Sequence, residues 1–302
     1  MGSPDSKPLA ARVSASLDAP MAEPVRAFAL KLAGEAGALA VLFYGSNLRT
    51  GALEGVLDFY VLLPGPRETG IWPRVSYHEW EHDGHVLRAK VATMTLATFH
   101  AAASGELLDT TIWARFVQPC ALAWARDGAV RAEAIDAIMA AIVTAARLAV
   151  ALGPVHGHPE AYWRTLFRAT YRAEFRVEKP GREETILAAN PVHFEGLLPL
   201  ALQAAGIAFT RDGAVLAPAM PLAERRRIGR WWRGRQRLGK PYNLARLMRA
   251  TATFDGAARY AAWKVERHTG VQVAVTPWRE RHPVLAAPGV LWRVWRHRRR
   301  QR

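Results

Sequence analysis

The sequence predicts an α/β fold of the α+β kind, in which a domain built on a mixed sheet is followed by a helical domain and then by basic C-terminal helices. Three observations lead there. Residues 38–44 and 55–63 are short, continuous apolar runs closed by Gly45-Ser46 and Pro64-Gly65-Pro66, the pattern of buried strands. Asp83-Gly84, set between the segments 75–82 and 85–95, is the pair that a two-residue type I′ hairpin turn requires. After Met94 the apolar spacing becomes helical.

Taken in order, residues 1–20 mix Ser, Pro and Ala with Asp5 and Asp18 and have no apolar core, so they read as a disordered leader and not as a secretory signal. A helix follows at 22–37, with Val25, Phe28, Leu30, Leu32 and Ala33 as its apolar stripe. The two strands and the hairpin come next, completing a catalytic domain over 21–125. Helices are expected at 96–104, 129–152 and 159–178, with a short apolar segment at 120–124, and the helical domain runs over 126–215. Residues 134–152 are the most apolar stretch, but Asp136, Arg147 and the helical spacing of the bulky residues mark a helix buried in protein rather than a membrane span. Residues 216–302 form a basic, aromatic tail.

A formal net charge of +15, from 41 Lys and Arg against 26 Asp and Glu, implies attraction to something anionic: nucleic acid, a lipid surface or polyphosphate. The single cysteine, Cys120, excludes an intrachain disulfide, a CxxC redox pair and a thiolate zinc site, and suits a reducing interior. His78-Glu79-Trp80-Glu81-His82 spells the HExxH of zinc proteases, which needs both histidines on one helical face. On a strand, positions four apart lie roughly 13 Å from each other, too far to share an ion, so these residues are expected on the polar face of the hairpin.

Chemistry is suggested by Phe43-Tyr44-Gly45-Ser46 followed by Asp58-Phe59-Tyr60. A Gly-Ser turn lets backbone approach phosphate oxygens, and a carboxylate on the neighbouring strand can hold Mg²⁺. The same residues also fit a tight turn beside a capped or paired Asp. The passage is similar to nucleotidyltransferases of the polymerase-beta type, except that Tyr60 stands where their second carboxylate lies.

With Ala89-Lys90-Val91 and Thr170-Tyr171-Arg172-Ala173-Glu174-Phe175-Arg176, the order of motifs resembles the mitochondrial-type phosphatidate cytidylyltransferases, also called the translocator assembly and maintenance family. The likeness covers about residues 38–180. It departs at Val91, where that family has Tyr-Gly, and at Glu174, where it has Asp. The resemblance implies a nucleotidyltransferase fold and a Mg²⁺-dependent transferase that joins CTP to phosphatidic acid, giving CDP-diacylglycerol and pyrophosphate in phospholipid biosynthesis. It further implies that Gly45 and Ser46 contact the CTP phosphates, that Asp58 holds Mg²⁺, and that Lys90 neutralises phosphate charge. Glu174 is then a metal or base candidate, and Arg176 an anion contact.

The tail adds seven Arg around Trp231 and Trp232 over 225–237 and six more around Trp292 and Trp295 over 290–302. Tryptophan with neighbouring cations favours the headgroup layer of an anionic membrane. A cytoplasmic enzyme peripheral to the inner face of the membrane is therefore expected, on the matrix side if the source is mitochondrial. Two alternatives remain: a nucleotidyltransferase acting on RNA or a small molecule, since Arg and aromatics also bind nucleic acid, and a silent nucleotide-binding scaffold.

Overall fold

The computed structural model describes residues 4–70, 73–173, 182–253, 256–269 and 271–281, together with 289, 292 and 296. Five strands, β1 (Ala40–Tyr44), β2 (Leu57–Leu63), β3 (Arg74–His82), β4 (His85–Thr95) and β5 (Cys120–Ala125), form one sheet in the order β3-β4-β2-β1-β5. It is mixed: β2 and β4 run parallel, while β1–β2, β1–β5 and β3–β4 are antiparallel. The expected hairpin turn is present, with Asp83 and Gly84 at φ 48° and 75°, the positive values a type I′ turn needs.

Strand alternation gives the sheet two apolar faces. Phe43, Phe59, Val61, Leu87 and Val91 pack on α2 (Glu23–Ala36) through Val25, Phe28, Ala29 and Leu32. Leu30, expected on that stripe, is 57% exposed. At 100° per residue it points away from the face set by Val25, Phe28 and Leu32.

On the opposite face Leu42, Tyr60, Leu62 and Met94 meet a helical layer comprising α4 (Leu96–Ala103), α5 (Thr111–Phe116) and α6 (Gly128–Leu152). Helix α6 begins where the Asp127 carboxylate accepts a 2.8 Å hydrogen bond from the Val130 amide. It is long and apolar enough to cross a bilayer. Here it is the central core helix, touching α1 (Lys7–Leu17), α4, α5 and α7 (Pro159–Ala173), as well as α10 (Leu197–Ala204) and α11 (Leu222–Thr253).

Three expectations are corrected. The leader is not disordered from Lys7 to Leu17: Leu9, Val13 and Leu17 recur every fourth residue and are buried in the core as α1, a stripe masked in the sequence by its Ala and Ser neighbours. The region to 215 is not wholly helical. After α8 (Arg182–Ala189), α9 (Pro191–Phe194) and α10, a hairpin of β6 (Phe209–Asp212) and β7 (Val215–Pro218) leans on α7, where Tyr162 donates to the Leu216 carbonyl at 3.1 Å. The basic segment also does not stand apart as a tail, because α11 packs against α6, α7 and β3. Two shorter helices follow it, α12 (Ala257–Thr269) and α13 (Pro277–Arg281). The part of the predicted 159–178 helix beyond Ala173 lies outside the described residues.

One side of α11, carrying Ile228, Trp232 and Arg235, packs into the core. Trp232 is 2% exposed, with its ring 6.1 Å from that of Trp113. Trp231 is half-buried and donates through Nε1 to the Gly105 carbonyl at 3.2 Å. Arg235 is buried with them, its guanidinium 3.8 Å from the Trp231 ring centre and 2.7 Å from the carbonyls of both Gly105 and Leu107. Trp232 therefore offers no surface to a membrane, and Trp231, expected beside it as a membrane contact, is half-covered with its indole N–H already donated to Gly105. Trp292 is exposed, and Trp295 lies outside the described residues.

Candidate active site

At one end of the sheet, on its helical-layer face, the strand registers line up one residue from each strand. Tyr77 on β3 faces Lys90 on β4, Lys90 faces Asp58 on β2, Asp58 faces Tyr44 on β1, and Tyr44 faces Cys120 on β5. Asp58 and Lys90, thirty-two positions apart in sequence, become direct neighbours through the parallel pairing of β2 with β4.

The chain turns immediately after Tyr44. Gly45 sits at φ 93°, and a Cβ there would meet Asp58 Oδ2 at 3.1 Å, so this position calls for glycine on conformation and on space. The short helix α3 (Ser46–Thr50) follows. Buried Asn47 braces the turn by donating through Nδ2 to the carbonyls of Ala52 at 2.9 Å and Glu54 at 3.0 Å. Gly45 and Ser46 themselves remain exposed.

From α5, Arg115 reaches over this end of the sheet. Its guanidinium lies 5.1 Å from the Tyr44 ring centre and 5.8 Å from that of Tyr60, and Nη1 donates to the Tyr60 hydroxyl at 2.8 Å. Two residues beyond Asp58 the chain has a buried phenol that accepts from this arginine and holds it in place.

The electrostatics follow from burial and neighbours. Burial pushes the Asp58 pKa up, and the positive charges of Lys90 and Arg115 partly offset that rise. Burial lowers the Lys90 pKa. Asp58 works against that shift, while Arg115, Lys264 and Arg246 reinforce it by repelling another cation. Cys120 lies at the end of the row, its thiol pushed up to about 12 by burial, so it is no nucleophile at neutral pH.

Gly45, Ser46, Asp58 and Arg115 form one wall of a cleft of about 630 Å³, within the size range of small-molecule sites, roughly 300–1,000 Å³. Across it stand Tyr171 of α7 and the α8–α9 segment, including Thr185, Asn190 and His193. Nε2 of His193 lies 2.9 Å from the Val117 carbonyl. A carbonyl can only accept, so Nε2 carries the proton. Burial also lowers the His193 pKa, which keeps the ring neutral and leaves Nδ1 as an acceptor.

Of the residues singled out in the sequence, Gly45, Ser46 and Asp58 come together in the cleft and Lys90 stands beside Asp58. Glu174 and Arg176 lie outside the described residues. The histidines of the HExxH string stand on a strand: His78 Nε2 is 2.8 Å from Ser76 Oγ, and the His82 ring stacks on Trp80 at 4.3 Å. Asn47, Arg115 and His193 were missed. Asn47 alone had a signal, its place directly after the Gly-Ser pair. Compared with models of known protein families and with curated proteins, the chain matches none.

Proposed function

We infer that the chain is a nucleotidyltransferase, and that its reaction joins CTP to phosphatidic acid, releasing pyrophosphate and forming CDP-diacylglycerol. The observation that supports this best is the pairing of Asp58 with Lys90 in strand register beside the Gly45 turn, in a cleft of nucleotide size. The lipid and the base enter through the resemblance of the Tyr44–Ser46, Asp58, Lys90 and 170–176 segments to the mitochondrial-type enzymes.

The chemistry asks little of a titrating base. A phosphomonoester is already anionic near neutral pH, and its oxygen attacks the α-phosphorus of CTP while the bond to the β-phosphate breaks. The chain's task is to hold two anions together and to offset their charge. Gly45 and Ser46 offer an unobstructed turn to the phosphates, Lys90 and Arg115 supply positive charge, and His193 offers Nδ1 as an acceptor from the opposite wall. Mg²⁺, when bound, would neutralise charge on the departing pyrophosphate. Asp58 would hold it with oxygens of the triphosphate, and one half-buried carboxylate lining the cleft plus substrate phosphates is a donor set that suits this ion. Glu174 remains the candidate for a second carboxylate.

The test is incubation of the full chain with phosphatidic acid vesicles, Mg²⁺ and α-labelled CTP. Label partitioning into chloroform is the expected result. Label in RNA instead would move the assignment to an RNA-acting transferase. A second reading, a nucleotide-binding scaffold without turnover, is favoured by one observation: Tyr60 and Arg115 fill the place of a second acid with a phenol and a cation. It predicts CTP binding with no labelled product.

Membrane attachment is assigned here to the outer face of α11 instead of its tryptophans. Arg226, Arg230, Arg233, Arg237 and Lys240 are exposed and follow one another at intervals of four, three, four and three residues, one stripe about 21 Å long. Among the described residues none of the five is in an ion pair. Each cation contributes about 1 kcal/mol against an anionic leaflet. Replacing Arg230, Arg233 and Arg237 with glutamine is therefore expected to weaken co-sedimentation with anionic vesicles roughly 100-fold. Unchanged sedimentation would remove α11 as the contact.

A further inference from the structure

Helix α12 lies against the outer strand of the sheet, and the contact is close. Gly256, at the start of the helix, approaches so near that a Cβ there would meet the Tyr77 carbonyl at 2.6 Å. Next along, the Tyr260 ring sits 5.3 Å from that of Tyr77, and Arg88 of β4 lies 5.7 Å from the Trp263 ring centre. Tyr77 is the register partner of Lys90, so this docking brings α12 to the same end of the sheet as Asp58.

Two cations are delivered by it. Lys264 is held 4.9 Å over the Tyr260 ring and is close enough to Lys90 to repel its charge. Arg267 extends to the loop before β2, where a Cβ on Gly55 would lie 3.2 Å from its Nη1 and 3.9 Å from Asn47 Nδ2, the amide that braces the Gly45 turn. Both side chains are exposed, and neither is in an ion pair among the described residues. Glu79, the acid facing this helix from β3, already accepts from the Tyr77 hydroxyl at 2.9 Å and from Arg88 at 3.2 Å. Arg246, another cation that acts on Lys90, is matched by Asp109 at 2.9 Å, and Arg115 is engaged by the Tyr60 hydroxyl at 2.8 Å. Lys264 and Arg267 are thus left as unmatched charges flanking the Gly45–Lys90 end of the sheet, an arrangement that concentrates positive potential there.

We propose that α12 is a polyphosphate clamp, with Lys264 and Arg267 gripping the terminal phosphates of a nucleoside triphosphate whose remaining part lies at Gly45, Ser46 and Asp58. This rests on reading that cleft as a nucleotide site, and it extends the site to a helix two hundred positions further along the chain. Lys90 and Lys264 then both act on the phosphate chain, and Arg267 holds its far end.

The experiment is calorimetric titration of the full chain with inorganic tripolyphosphate, and separately with CTP and CMP. Lys264→Gln/Arg267→Gln is expected to weaken tripolyphosphate and CTP roughly 100-fold, since hydrogen bonds to charged groups are the strong ones. CMP, which lacks the terminal phosphates, is expected to change by less than about 2-fold. Lys264→Arg restores most of the affinity, and Glu266→Ala on the same helix leaves it unchanged. Equal tripolyphosphate affinity in the double variant and the wild type would overturn the clamp, as would a wild type that binds no tripolyphosphate. Loss of tripolyphosphate binding in the double variant, with no preference of the wild type for CTP over other triphosphates, keeps the clamp and removes the cytidylyl assignment.

Discussion

Asp58→Asn is expected to lower product formation by at least about 100-fold while the melting temperature stays close to that of the wild type. Asparagine keeps the shape beside Gly45, where the carboxylate comes within 3.1 Å of a Cβ position, and so retains the turn. It removes the anion that a metal or an ordered cation network requires. The same residue sets the acid limb of the activity profile. In the proposed reaction only ionised Asp58 is competent, and burial raises its pKa above the ordinary 3.8. Activity is therefore lost, as pH falls, through a window lying above that value. The sign for stability is opposite: because the folded state binds this proton more tightly than the unfolded chain, ionising Asp58 costs stability as pH rises through the same window. Steady-state assays from acid to neutral pH check the first expectation, and urea unfolding over the same range checks the second. A rate limb centred at or below 3.8 would separate Asp58 from catalysis.

Asp109→Ala is expected to destabilise the fold by about 3–5 kcal/mol. The Asp109 side chain is 2% exposed and that of Arg246 17%, so their 2.9 Å pair is largely withdrawn from water. The carboxylate is also saturated from its own chain, accepting from the Thr111 amide at 3.0 Å and its hydroxyl at 2.7 Å. Alanine abandons both donors and strands the Arg246 charge next to Thr111 Oγ1, 3.1 Å away. Unfolding in urea measures the loss. Arg246→Met in the Asp109→Ala background is expected to recover part of it, because the stranded charge goes too. No recovery would assign the cost to the Thr111 contacts instead.

The sheet and the central helices were legible in the sequence because their signals are local. The apolar runs, the Asp83-Gly84 pair and the helical spacing after Met94 each act within a few residues. The Gly45 turn was legible for the same reason. Arg115 was not: it sits in a six-residue helix with no motif, and its place beside Asp58 exists only once α5 lies across the sheet. The tryptophans of α11 were misread because composition reports how many aromatics a basic segment holds and not which side of the helix they occupy. Read by angle, Arg226, Arg230, Arg233, Arg237 and Lys240 fall on one exposed stripe, while Trp232 and Arg235 face the core, which is the distinction between a solvent-facing side and a core-facing one. The leader was misread in the converse way, since three apolar residues spaced four apart among small ones carry little weight in a composition window yet fill a groove beside α6.

The row Tyr77–Lys90–Asp58–Tyr44–Cys120 also has a consequence for synthesis on the ribosome. Its five members span positions 44 to 120, so the sheet and Asp58 can be assembled while the later half of the chain is still being made. Helices α11 and α12 arrive last, the first covering Trp113 with Trp232 and the second bringing Lys264 and Arg267 beside Lys90. A nascent chain halted near residue 220 therefore exposes an indole surface that invites chaperones, and it carries the carboxylate of the site without its outer ring of positive charge. On the proposed clamp, translation itself would delay any grip on triphosphate until the protective cover of the core is in place.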